Sequence, residues 1–423
     1  MYKTSAYVAM TAAVILVTQH STNAQSTATY PLTPRVLQVI GKMTLDEKLS
    51  LVRGGSDPKN LGQAGYIPGV PRLGIGPLRL TDGPAGIRVG KPATAMPSPV
   101  AMAATFNPDI AQRFGATVGK EGRALGQDIL LSPMVNIVRQ PGAGRNFETL
   151  GEDPLLAATL VSAQVRGVQQ NGMIATVKHF AANNFEQGRM GVNVRIDERT
   201  LNEIYLPAFT AAVKAGAGSV MGAYNKINGE YCCENSALLD TTLRQKMGFG
   251  GFVMSDWFAT QSTNASIQAG LDMEMPGDGI RIPGRDGYFG TSLRNAIETG
   301  ELPETTLDRS VARILVVMEK FGHLDKPKPR PVFDKAAGRK AARDIAEAGA
   351  VLLKNDRFVL PLKPATLKNV AWVGLPFTRP VIGGGGSAQV TPTNITSIRQ
   401  LLQSVYGIGK PLYAPGIDTD GVA

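Results

Sequence analysis

The sequence predicts an α/β protein: a (β/α)8-like TIM barrel followed by a second, incomplete α/β unit. Two observations predict the barrel. Short apolar runs alternate with segments of helical spacing, which argues for a parallel sheet with helices packed outside it. Polar residues stand at the C-terminal ends of these runs, where a parallel barrel carries its site. A third observation divides the chain. The run "KPKPRP" at 326–331 can be neither helix nor central strand, so it reads as a linker.

The N-terminus reads as an export signal over residues 1–24. Lys3 precedes the apolar run "SAYVAMTAAVILV", and "TNA" offers a small-residue cleavage site after Ala24. That run has 13 residues, whereas a membrane-spanning helix needs about 20. The mature protein is therefore expected to be secreted or periplasmic, with no membrane partner.

Residues 25–325 are expected to form the barrel. Six apolar runs read as strands: "GPLRLTD", "DILLSPMV", "MIATVKHF", "GSVMGAY", "GFVMSDW" and "AGLDMEM". Segments such as "NPDIAQRFGATVGKEGRAL", with Asn107 and Pro108 as a helix start, read as the helices between them. The last helix, "LDRSVARILVVMEKFG", carries the stripe Val311, Ile314, Leu315 and Met318 and stops at Gly322. A linker is expected over 326–340. Residues 341–423 follow as about 80 residues of incomplete α/β structure, with the strand "NVAWVG" and the helix "SIRQLLQSVYG".

Composition narrows the function classes. The net charge is +10, but lysines and arginines are spread along the chain and form no dense run, so no nucleic-acid partner is expected. No Gly-x-Gly-x-x-Gly follows the first strand, and no Gly-Lys-Ser/Thr follows "GGGGS", so no nucleotide cofactor is expected. Cys232 and Cys233 are the two cysteines and are adjacent, which gives no disulfide framework. His20 lies in the export signal, leaving His179 and His323; no metal site is expected. Nothing in the sequence specifies an oligomeric state.

Asp82, Lys178, His179, Tyr224 and Asp256 each stand at the end of an apolar run. A pocket of carboxylates, cations and aromatics suits a ligand rich in hydroxyls, because charged groups make the stronger hydrogen bonds. Cleaving a glycosidic bond requires two carboxyl groups. Asp256, flanked by Lys178 and His179, is expected to stay ionised, since a nearby cation favours the carboxylate.

The motif "GFVMSDW" resembles the nucleophile motif of glycoside hydrolase family 3. The resemblance extends in order through "MTLDEKLSLV", "LRLTDGPAGIR", "NIVRQPGAGRNFETLGEDP", "VKHFAANN", "RIDERTLNEIYLPAF" and "AYNKINGEYCCEN", and covers roughly residues 34–423. It implies that Asp256 forms a covalent glycosyl-enzyme. It further implies that Asp82, Arg145, Lys178, His179, Tyr224 and Trp257 bind the sugar. Arg189 in "FEQGRM" is left without a role. The second unit is implied to be the start of an α/β sandwich domain, whose "GGGGSAQVTP" loop approaches the pocket.

The resemblance implies a retaining, exo-acting β-glucosidase-like enzyme on oligosaccharides or glucosides. "KHFAANN" departs from the "KHFPG" motif of the N-acetylglucosaminide branch. The β-xylosidase branch tends to have glutamate where Asp82 stands. The family's general acid, a glutamate of the second domain, has no counterpart in these residues. It is expected from a missing downstream segment, with a truncated, impaired sugar-binding protein, or a β-xylosidase-type member of the family, as the alternatives.

Overall fold

A computed structural model describes residues 30–277, 286–326, 329–363, 370–407 and 412–416. The export pattern at 1–24 lies outside the described residues. One six-stranded sheet organises the chain: β1 (Gly65–Ile67), β2 (Leu78–Asp82), β3 (Ile129–Leu131), β4 (Ile174–Phe180), β5 (Ser219–Gly222) and β6 (Phe252–Ser255), in that spatial order. β2 to β6 are parallel. Every residue of β3 to β6 is buried, as expected of strands covered on both faces.

The crossovers are helical. α1 (Pro108–Ala124) joins β2 to β3, α2 (Pro154–Gln170) joins β3 to β4, and α3 (Pro207–Lys214) lies between β4 and β5. α1 starts as the sequence predicts: the Asn107 side chain accepts from the N–H groups of Asp109 and Ile110, with Pro108 in the first turn. Asp153 caps α2 by accepting from Leu156 N. α1 and α2 touch backbone to backbone. A Cβ on Gly115 would lie 2.3 Å from Gln164 O, and one on Gly167 would lie 2.1 Å from Gln112 O. Only glycine permits this approach.

Two features differ from the sequence expectation. β1 was not among the expected strands, and it pairs antiparallel with β2. The intervening residues 68–77 are too few for a parallel crossover, which takes a dozen or more. The run "AGLDMEM" is not a regular strand. It begins in the helix Asn264–Ala269, turns at Gly270 (φ 111°), and meets β6 through a single parallel bridge between Met254 and Met273. The Asp272 carboxylate accepts from Val253 N at 2.8 Å, in the place of a ladder carbonyl. That carboxylate is buried against Arg244 and Arg313. Backbone bonds then carry the curl onward, from Glu274 N to Val52 O, Gly54 N to Glu274 O and Gly55 N to Tyr66 O.

The helix α4 (Glu304–Lys320) buries Val311, Ile314, Leu315 and Met318, the expected stripe. The expected linker is shorter than 326–340. α5 (Lys335–Gly349) begins inside it, because Asp334 caps the helix by accepting from Ala336 N and Ala337 N. Nor does the chain run free here. Arg330 reaches buried Asp128 at 3.0 Å, and Ile345 of α5 joins the core while Asp344 pairs with Arg113 at 2.5 Å.

Beyond α5, the strand Ala371–Val373 pairs in parallel with Leu412–Ala414, and Trp372, Phe377 and Tyr413 stack at 5.0 and 5.5 Å. Ala93 exchanges backbone hydrogen bonds with Thr391 and Thr393. This seam brings the loop at 383–387 to the sheet's C-terminal rim.

Candidate active site

Parallel strands end on one side, so their C-terminal residues share a rim. Asp82 closes β2, Lys178 and His179 lie in the last turn of β4, Tyr224 follows β5 by two residues, and Asp256 directly follows β6. Arg145 comes from the loop after β3. With Trp257, these seven line one cavity of about 410 Å³. The structure thus brings together every site residue predicted from the sequence.

Asp256 sits at the centre, buried to 8% exposure. Its Oδ1 accepts from Tyr224 OH at 2.9 Å and from Trp257 N at 2.7 Å. Its Oδ2 lies 3.4 Å from His179 Nε2. The expected downward shift of the Asp256 pKa by nearby cations needs correcting. Burial pushes the Asp256 carboxyl above the usual aspartate value, against the opposing pull of Lys178, the Trp257 N–H, Tyr224 and Arg145. His179 is no cation either. Burial, then the neighbouring charges of Arg145, Lys178 and Arg189, hold its imidazole well below the usual histidine range, so the ring is neutral. Burial and the Asp256 charge push the Tyr224 phenol up, keeping it a donor.

The rest of the rim is a mesh of ion pairs. Lys178 Nζ stands 3.8 Å from Asp82 Oδ1, and Arg88 Nη1 donates to Asp82 Oδ2 at 2.9 Å. Arg145 grips Glu148 with two hydrogen bonds of 3.1 and 2.8 Å. Its Nη1 donates to His179 Nε2 at 3.3 Å and its Nη2 to Ser387 Oγ at 3.4 Å. Arg189 pairs with Glu186 at 2.5 Å and lies over the Tyr224 ring at 4.6 Å. Phe147 and Gly384 complete a wall, in such close contact that a Cβ on Gly384 would fall 2.4 Å from the Phe147 ring.

Arg88, Glu148, Glu186, Arg189 and Phe147 also line the cavity, and the sequence reading assigns none of them a site role; the loop Gly384–Ser387 lines it too, as the resemblance implies for "GGGGSAQVTP". Arg88 closes "LRLTDGPAGIR", and Glu148 stands one turn after Arg145 in "GRNFE", so both lie inside motifs that were legible. Among the described residues, no group of three or more His, Cys, Asp or Glu side chains is placed to hold a metal ion, and no helix is long and apolar enough to cross a membrane.

Residues 72–317 match the family description "Glycosyl hydrolase family 3 N terminal domain". The chain belongs to glycosyl hydrolase family 3. It is 38% identical over 406 residues to thermostable β-glucosidase B of Acetivibrio thermocellus, covering 91% of this chain and 51% of that protein. A β-glucosidase of Rhizobium radiobacter is 40% identical over 361 residues, 83% of this chain and 42% of that protein. Among solved structures, a β-glucosidase from Streptomyces venezuelae in complex with D-glucose superposes with a TM-score of 0.86 at 45% identity, covering 92% of this chain and 50% of that one. β-Glucosidase 3B from Thermotoga neapolitana in complex with glucose gives a TM-score of 0.79 at 35% identity, with 90% and 55% covered. The chain spans about half the length of these family 3 relatives.

Proposed function

We propose that this chain carries the nucleophile half of a retaining, exo-acting β-glucosidase, with Asp256 forming a covalent glycosyl-enzyme. The observation that carries this reading is the setting of Asp256: a buried carboxylate whose Oδ1 is held by two donors at the floor of a polar cavity. Attack of Oδ2 on the anomeric carbon forms an ester bond. The glycosidic bond breaks, and its electron pair leaves with the aglycone oxygen. Water then cleaves the ester, giving net retention.

In this reading Asp82, Arg145, Lys178 and His179 hold the hydroxyls of one terminal sugar, and Trp257 offers an apolar face to the ring. Asp82 rather than glutamate favours glucose over xylose. The curled sheet is read as a (β/α)8-like barrel over 25–325, with the segments 271–274 and 52–55 as its irregular staves. Residues from α5 onward are read as the start of an α/β sandwich domain. Export through residues 1–24 belongs to the same proposal, and N-terminal sequencing of extracellular protein tests it.

The proton donor is read as a glutamate from outside the described cavity residues. Asp82, Glu148 and Glu186 each face a cation, an arrangement for holding charge rather than giving up a proton. The same observation favours one second reading, a sugar-binding protein that does not turn over. A 2-fluoroglucoside with a good leaving group separates the two. Labelling of Asp256 in peptide maps, with retained configuration of product by NMR, supports the enzyme. Saturable binding with no label and no released phenol supports the binder.

A further inference from the structure

His179 faces the reacting carboxylate, and what it presents there depends on which ring nitrogen carries the proton. Two neighbours decide this independently. Asn136 is 3% exposed and clamps the backbone of His179 both ways: Nδ2 donates to His179 O at 2.8 Å, and Oδ1 accepts from His179 N at 2.9 Å. That pair of hydrogen bonds fixes the amide's orientation, since the reverse would set donor against donor. The same Oδ1 lies 3.0 Å from His179 Nδ1, so Nδ1 must carry the proton. On the other side, Arg145 Nη1 lies 3.3 Å from Nε2. A guanidinium only donates, so Nε2 must be bare.

We propose that Asn136 is a positioning residue that locks His179 in the Nδ1–H tautomer and so leaves Oδ2 of Asp256 uncapped. The inference rests on the reading of Asp256 as nucleophile. Oδ1 is already taken by Tyr224 OH and Trp257 N. Oδ2 has His179 Nε2 as its near neighbour, at 3.4 Å. A proton on Nε2, in the other tautomer or in an imidazolium, would hydrogen-bond Oδ2 and blunt its attack. The bare nitrogen withholds that proton. The charges that face the ring suit the neutral form: Arg145, Lys178 and Arg189 oppose protonation, with Asp256 the opposing anion and Glu148 and Glu186 partly spent on the arginines.

The test uses the full chain with 15N-labelled histidine, which has three such residues, His20, His179 and His323. Long-range proton–nitrogen correlations report which ring nitrogens carry protons, and a His179→Gln spectrum assigns the signal. The expected pattern for His179 at neutral pH is a protonated Nδ1 and a bare Nε2. A protonated Nε2 overturns the proposal, whatever any variant does. Asn136→Asp supplies the second arm. A carboxylate beside Nδ1–H favours the imidazolium, whose Nε2–H then caps Oδ2. On dinitrophenyl glucoside, kcat/KM should fall more than about tenfold at neutral pH and recover as the pH rises and the ring loses its proton. An equal loss at every pH marks a merely structural role and overturns the proposal. The expected ring pattern without any label on Asp256 from a 2-fluoroglucoside would uphold the tautomer lock and sink the glycosidase reading instead.

Discussion

The Tyr224 hydroxyl donates to Asp256 Oδ1 across 2.9 Å, linking the ends of β5 and β6. The bond has a cost and a use. Tyr224 holds one carboxylate oxygen, in concert with the Trp257 N–H, and so aims the other at the cavity. Tyr224→Phe keeps the ring and its contact with Arg189 but removes the donor. A hydrogen bond to a charged group contributes roughly 1.5–3 kcal/mol. We expect kcat/KM on aryl glucosides to fall by about 10- to 150-fold, with the melting temperature nearly unchanged. An unaltered kcat/KM would show that the phenol does not orient the carboxylate.

Lys178 should set the acid limb of the pH profile. As the proposed nucleophile, Asp256 would attack only when ionised, and burial has raised its pKa. The Lys178 ammonium heads the influences that oppose this rise. Removing it leaves burial less opposed, so the Asp256 pKa climbs further. The acid limb of kcat/KM in Lys178→Met should therefore move to higher pH. Lost contacts to the sugar lower the whole curve without moving the limb, which separates the two effects. A limb that stays in place would show that Lys178 acts through binding alone.

Strand ends were readable because each closes an apolar run with a polar residue, as in "LRLTD", "TVKHF" and "GFVMSD". A parallel sheet then gathers such residues automatically, with no further information. Ion pairing was not readable in the same way. Arg88 turns back onto Asp82 through the tight "GPAGI" loop, and that geometry has no periodic signal. The irregular segment at 271–274 was hidden because Asp272 replaces a backbone acceptor with a side chain, which a pattern of apolar residues cannot reveal. The direction of the Asp256 pKa shift and the neutrality of His179 were not readable for one reason. Sequence shows which charges are neighbours, but burial, the first cause at both residues, is a property of the folded cavity.

His323 should make the fold acid-sensitive. It follows α4, and its Nε2 is buried without a hydrogen-bond partner among the described residues. Burial, with Arg123 and Arg330 nearby, lowers its pKa from 6.5 to about 4 despite Asp128. Above the unfolded value neither state binds the proton. As pH falls from 6.5 towards about 4, the unfolded chain takes it up and the folded one does not, so stability is lost across that window. The loss is at most about 3 kcal/mol, less for the part of the ring that solvent reaches. Urea midpoints measured at the two ends of the window should differ less in His323→Gln than in the parent. Equal differences would place the acid sensitivity elsewhere.

The last prediction concerns the leaving group. A sugar alkoxide departs poorly without a proton, whereas dinitrophenolate needs almost none. General acid catalysis contributes typically 10²–10⁴-fold. The carboxyls that line the described cavity are Asp82, Glu148, Glu186 and Asp256. Three face cations, and the fourth is the proposed nucleophile. If the donor lies outside this set, the chain ending at Ala423 should hydrolyse dinitrophenyl glucoside far better than cellobiose, by a factor in that range. Azide, which needs no base to attack, should speed turnover of the glycosyl-enzyme and give the glycosyl azide with retained configuration. Glu186→Gln provides the control, because Glu186 is the most exposed of the four carboxyl side chains, at 37%. If cellobiose is cleaved as readily as the activated glucoside, and Glu186→Gln abolishes only the cellobiose reaction, the proton donor is Glu186 and lies within the cavity after all.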